Sequence, residues 1–230
     1  MTDERRLAAA AALRALNNDF VAHDAAPDLL DRIAASARQA SVELRSSERR
    51  DLAPVVVSHA GRMFRVEAME QPMSIEEDDA PPGRVGFMSD RAVGGRTNPL
   101  AADLHFEYGD DEVVVRTVLG AAYEGAPGRA HGGMVAALFD DITGFLLPLA
   151  GTAAFTGEIT VRYHRPVPIE VPLEFCSRIE GRQGRKIHVT AECRAGGEEI
   201  VASAEVVFIT VDISRFGRSA GEATSAPTDP

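Results

Sequence analysis

The residues best suited to chemistry lie together in Glu124-Gly125-Ala126-Pro127-Gly128-Arg129-Ala130-His131-Gly132-Gly133-Met134, which runs on to Asp140 and Asp141. A histidine followed by two glycines lets the chain enter a helix with no side chain blocking the N–H groups of its first turn. Those N–H groups carry the positive end of the helix dipole and can stabilise an oxyanion forming on a polarised carbonyl. By itself His131 reads equally as a cap or a core histidine. On a 3.6-residue period Met134, Leu138, Ile142, Phe145 and Leu149 share one stripe, with Val135, Phe139 and Leu146 alongside, so a helix from Gly132 to about Leu149 is expected to be buried. Gly133, Ala136 or Ala137, Asp140 and Gly144 form a further stripe of small side chains around one carboxylate, leaving room beside it for another backbone or a ligand. An unpaired carboxylate in such a helix costs several kcal/mol, so Asp140 and Asp141 each need a partner, water or a role. Facing an open sheet edge, or pairing with Arg162 or Arg165, meets that need without any chemistry. Successive helix positions differ by about 100°, so only one of the two faces the small stripe, and that one is Asp140.

The sequence offers no other hydrolytic machinery in a workable context. Its one GxSxG, Gly217-Arg218-Ser219-Ala220-Gly221, lies in the Ser-, Gly- and Pro-rich tail rather than at a strand-to-helix turn, so it supplies no serine-hydrolase elbow. The six histidines of the chain are scattered, with no HxxxH or HExxH pair, so neither a metal nor another cofactor is expected.

The elements that must hold these residues follow from breakers and periodicity. Glu112 to Leu119, Phe155 to His164, Val171 to Ile179, Lys186 to Arg194 and Ile200 to Val211 are β-branched runs bounded by Gly or Pro and read as strands. A strand, a long helix and then strands spaced like hairpins fit an α+β fold, an antiparallel sheet wrapped around one central helix; alternating parallel units would need a helix after every strand. Ahead of this lies an arm over residues 1–52. Its Ala, Leu, Arg and Glu residues form two helices broken near His23 to Pro27, with Leu7, Leu13, Leu16 and Phe20 and then Leu29, Leu30 and Ile33 as apolar positions. Residues 53–97, with their acidic run and Pro and Gly pairs, read as an irregular surface linker, 98–213 as the sheet-and-helix domain, and 214–230 as a disordered tail.

Composition narrows the function. The 230 residues carry 24 Lys plus Arg against 35 Asp plus Glu, a net charge of −11, so nucleic acid and anionic membranes are poor partners. With two cysteines, no export signal and no apolar stretch of membrane-crossing length, the expectation is a cytoplasmic protein with reduced thiols.

His131-Gly132-Gly133 with Asp140, followed by Thr156-Gly157-Glu158-Ile159-Thr160-Val161-Arg162-Tyr163-His164-Arg165-Pro166, resembles the hotdog-fold acyl-CoA thioesterases of the phenylacetate-pathway type. The lead-in from Glu124 to Gly128 is similar to the subgroup of thioesterase superfamily member four. The resemblance implies a hotdog domain that pairs into a homodimer or a dimer of dimers, with active sites at the interface and an acyl-CoA substrate. It further implies that Asp140 is the general base or the nucleophile, and that the Gly132 N–H, helped by His131, polarises the thioester carbonyl. Thr156 then arrives from the partner subunit to hold water. At Gly125 this chain departs from relatives that carry Asn or Gln there. A thiolate leaves readily, so one base and one oxyanion site suffice without a triad. Gly133 opens the helix beside the substrate, and Arg165 with the Gly184-Arg185-Lys186 turn are the basic candidates for coenzyme A phosphates. A non-catalytic hotdog module that only binds an acyl or aromatic ligand is the alternative.

Overall fold

Two helices and a run of strands precede and follow one apolar helix, as the periodicity requires. The computed structural model describes residues 2–50, 90–109, 111–197 and 199–211; the expected tail and most of the expected linker lie outside them. In chain order come α1 (Thr2–Ala22), α2 (Pro27–Ser46), β1 (His105–Tyr108), β2 (Glu112–Val118), a 3₁₀ turn (Ala121–Tyr123), β3 (Glu124–Ala126), β4 (Arg129–Ala130), α3 (Gly132–Gly144), β5 (Ala154–Tyr163), β6 (Pro172–Gln183), β7 (Lys186–Ala195) and β8 (Glu199–Thr210). Six strands make one antiparallel sheet in the order β1-β2-β6-β7-β8-β5, and β3 pairs with β4 separately. This is the hotdog arrangement, an antiparallel sheet around α3 with a helical N-terminal extension.

The sheet packs on α3 because each layer offers one apolar face. On β7 the inward positions are Ile187, Val189, Ala191 and Cys193, alternating with more exposed ones. From α3, Val135, Leu138, Phe139 and Ile142 are fully buried, and the Phe139 ring meets Phe175 of β6 edge-on at 5.2 Å. Each such side chain contributes about 1.5–3 kcal/mol on burial. Cys176 and Cys193 are free thiols, and burial pushes the Cys193 thiol up to about 12, so it stays protonated.

Several expectations need correction. Helix α3 stops at Gly144 rather than near Leu149. The N–H groups of Phe145, Leu146 and Leu147 bond only three residues back, to Ile142, Thr143 and Gly144. Pro148 follows, with no N–H to continue the helix and a steric bias against helical geometry at the residue before it. Strand β1 and the β3–β4 hairpin are additional to the five expected strands; the hairpin turns at Pro127-Gly128, where Gly128 has φ 73. Residues 90–97 are not a surface crossing. Gly94, Gly95 and Thr97 are buried, and Val93 packs against the core. At the start of this stretch the Arg50 guanidinium grips the Asp90 carboxylate with both nitrogens, at 2.7 and 3.0 Å.

The arm is helical as expected, but α1 presents an unexpected face. Ala10 is 3% exposed and Arg14 and Asn18 are half-buried, whereas Leu13, Leu16 and Phe20 are 48%, 42% and 55% exposed. Helix α2 buries no residue. No helix among the described residues is long and apolar enough to cross a membrane.

Candidate functional site

The start of α3 is organised by His131. Its Nδ1 accepts the Gly133 N–H at 3.0 Å, and its carbonyl accepts the N–H groups of Met134 and Val135. With Nδ1 accepting, the ring N–H is the one on Nε2, directed away from the cap. Among the described residues the Gly132 N–H is the one first-turn donor with no acceptor. Gly125 sits directly beneath: a Cβ there would come within 2.8 Å of His131 Cα, so no Asn or Gln fits where some relatives carry one. Tyr163, at the end of β5, donates its hydroxyl to the Gly132 carbonyl at 2.5 Å and keeps that glycine in place. Burial pushes the Tyr163 hydroxyl above its ordinary pKa, so it remains a donor.

Two turns further along α3 the paired aspartates part company. Asp140 is exposed, and its Oδ1 accepts the Thr156 hydroxyl at 2.7 Å. Thr156 can reach because the register of β5 against β8 shifts between Thr156 and Glu158. The bulge at Gly157 reverses the side-chain alternation and turns Thr156 toward the helix. A Cβ at Gly157 would lie 2.7 Å from Ile209 Cγ1, so only glycine fits the bulge. The resemblance brings Thr156 from a second subunit; here it is bonded to Asp140 of its own chain, because β5 runs beside the helix that carries Asp140.

Asp141 is buried and pairs with Arg91 at 2.5 Å, not with Arg162 or Arg165. Burial pushes its carboxyl above the ordinary carboxylate range; the Arg91 guanidinium opposes this and the neighbouring Asp140 charge adds to it. Arg91 also stacks over Phe145 at 5.2 Å and passes 3.5 Å from where a Cβ on Gly144 would stand. Part of the small-residue stripe thus houses an arginine rather than a ligand.

Two cavities flank the start of α3 and share His131. One, about 380 Å³, is lined by Gly125, His131, Gly132, Tyr163 and two arginines, Arg129 and Arg165. The other, about 440 Å³, lies on the Gly133 side between α1 and residues 92–100. Among the expected site residues, the structure joins Asp140 to Thr156 and gathers His131, Gly132, Gly133 and Arg165 at the helix start. Arg165 is ion-paired with Glu199. Arg185 and Lys186 stand apart in the β6–β7 turn, where Arg185 donates to the Thr210 carbonyl, and line neither cavity. No group of three His, Cys, Asp or Glu side chains that could hold a metal occurs among the described residues.

With this geometry in hand, residues 127–202 match the thioesterase superfamily. The sheet, α3 and both halves of the candidate site fall within or beside that stretch. That stretch is about a third of the chain, and it is this part that is similar to the superfamily. Acyl-coenzyme A thioesterase THEM4 of Xenopus laevis is 30% identical over 91 residues, 39% of this chain and 41% of the relative. The Mus musculus THEM4 is 29% identical over 123 residues, 50% of this chain and 53% of the relative. The chain thus matches about half the length of these relatives. A crystal structure of a thioesterase superfamily protein superposes with a TM-score of 0.68 at 25% identity, over 89% of this chain and 94% of the other. The resemblance read from the motif is borne out at the level of family and fold.

Sequence reasoning missed three features around the site. Arg129 was legible in principle: a Pro127-Gly128 turn returns the next residue beside His131. Tyr163 was part of the motif but had no assigned contact. The Arg91–Asp141 pair had no local signal, because its partners are far apart in the chain.

Proposed function

We propose that the protein hydrolyses acyl-CoA thioesters to a free acid and coenzyme A, with Asp140 as general base. The observation that carries this reading is the exposed Asp140 carboxylate held through one oxygen by Thr156, which leaves Oδ2 to take a proton from water. The Gly132 N–H and the His131 Nε2–H are the donors for the thioester oxyanion. The hydrolysed substrate class is supported by the names of the curated relatives, acyl-coenzyme A thioesterases.

The two halves of this machinery belong to different copies of the chain. A helix rises about 1.5 Å per residue, so the Gly132 N–H and the Asp140 carboxylate of one chain stand about 12 Å apart. One thioester carbonyl cannot touch both. A second copy, its α3 antiparallel to the first, brings its helix start to this Asp140 and forms two equivalent sites. The open edge of β5, ten residues long, is the surface through which two sheets join.

Release of free thiol from a panel of acyl-CoAs tests the activity. We expect turnover by the wild type and a loss of about 10²–10⁴-fold in kcat for Asp140→Ala, with an unchanged melting temperature because Asp140 is exposed. Full activity in that variant would remove Asp140 from the mechanism. Single turnover in labelled water separates base from nucleophile: the label goes to the product acid alone, and label in the Asp140 carboxylate would reverse that assignment.

A further inference from the structure

Helix α1 docks on the domain through polar anchors rather than through its leucines. Arg14 Nη1 donates to the carbonyls of Arg96 and Asn98 at 2.9 and 3.0 Å, and the Asn18 Oδ1 accepts the Ala122 N–H at 3.1 Å. Asn18 Nδ2 in turn donates to the Arg14 carbonyl at 3.0 Å, which stiffens the same face of the helix. A helix held only to cover a core would turn Leu13, Leu16 and Phe20 inward; here they face out. The anchored face of α1, through Arg14, Asn17 and Asn18, also borders the cavity of about 440 Å³. That is within the size range of small-molecule sites.

The contents of the two cavities differ in a way that matches a thioester. On the Gly132 side stand Arg129 and Arg165, suited to the phosphate-bearing carrier. On the Gly133 side Val93, Pro99, Leu100 and Met134 give the cavity an apolar lining, with His131 and Asn17 of α1 also on its wall. Asn17 makes no side-chain hydrogen bond among the described residues, so anchoring does not account for it. The cavities meet at His131, where the reading above puts the reacting carbonyl.

We propose that α1 is the far wall of the acyl-chain pocket and that Asn17 sets the chain length admitted. This rests on the thioesterase reading. It makes the arm, which lies outside the matched stretch of residues 127–202, the element that selects the substrate.

The test is kcat/KM for straight-chain acyl-CoAs of increasing length, on the full chain. Asn17→Phe is expected to lower the ratio of the longest to the shortest chain turned over by at least about tenfold, the size of effect one methylene carries in an apolar pocket. Asn17→Leu should lower it less, and Asn17→Ala should extend the range. Leu16→Phe adds the same bulk on the outward face and should leave the ratio as in the wild type. Asn17 is exposed on a helix, so melting temperatures should stay within a few degrees, and Asn17→Leu serves if the phenylalanine does not fold. An unchanged ratio in Asn17→Phe and Asn17→Leu, with the wild type active, overturns the inference and leaves the thioesterase reading standing. A wild type that cleaves no thioester of any length overturns both.

Discussion

His131 has two jobs that mutation can separate. Its ring caps α3 through Nδ1 and presents Nε2–H outward. His131→Ala loses both, and should cost about 1 kcal/mol of stability as well as activity. Asparagine caps through a shorter side chain and has no donor in the Nε2 position. His131→Asn should therefore keep the wild-type urea midpoint while kcat falls; a variant that recovers both would confine His131 to capping. Asp141 carries a different prediction, in the pH dependence of folding. Its carboxyl is raised in the folded chain, chiefly by burial. Such a group favours folding fully below its unfolded value of about 3.9, and loses that contribution as pH rises through the higher folded value. Relative to Asp141→Asn, the wild type should gain stability as pH falls from 7 toward 4, measured by urea midpoints at each pH. The opposite slope would show that Arg91 outweighs burial. Removing Arg91 instead leaves a carboxylate 8% exposed with no cation. Breaking a fully buried pair costs about 3–5 kcal/mol; since Arg91 is itself 31% exposed, we expect roughly 2–3 kcal/mol for Arg91→Ala.

At the scale of elements, α1 is held by a close fit at Gly120. A Cβ there would fall 2.1 Å from the Asn18 Oδ1, so Gly120→Ala must displace the anchor that fixes α1 to the 3₁₀ turn. Hydrogen exchange should then quicken in α1 and in residues 121–123 while the β6–β7–β8 strands keep their protection; unchanged exchange in α1 would mean that Arg14 alone holds the arm. The bulge in β5 has a comparable role for the site. Without the extra residue at Gly157, Thr156 would point away from α3 and Asp140 would lose its only hydrogen-bonded side chain among the described residues.

For the whole molecule, the division of the site between two chains is open to a mixing experiment. Proline suits the first position of a helix, and the ψ of 127 at His131 fits a residue preceding proline. Gly132→Pro should therefore fold while losing its N–H donor. Neither Gly132→Pro nor Asp140→Ala should turn over substrate, yet exchanged heterodimers of the two contain one intact site and should recover activity, toward half that of the wild type. No recovery after verified exchange would return both halves of the site to a single chain. A net charge of −11 also makes local cations matter for an anionic carrier. Arg129→Gln should raise KM for acyl-CoA, and the increase should shrink with added salt.

What the sequence determined by itself is what local rules govern. The glycines after His131, the apolar period of α3, the β-branched runs and the placement of Asp140 on the open stripe follow from steric freedom and periodicity within a few residues. Only the tertiary structure decided which groups meet across distant elements. Arg91 with Asp141, Asn18 with Ala122, Thr156 turned inward by its bulge and Tyr163 against Gly132 are each set by packing of parts far apart in sequence. The outward face of α1 is the clearest case. Its leucines point to burial by pattern, but two carbonyls offered to Arg14 and one amide offered to Asn18 outweighed them, because unpaired polar groups at a closing interface cost more than apolar side chains left in water.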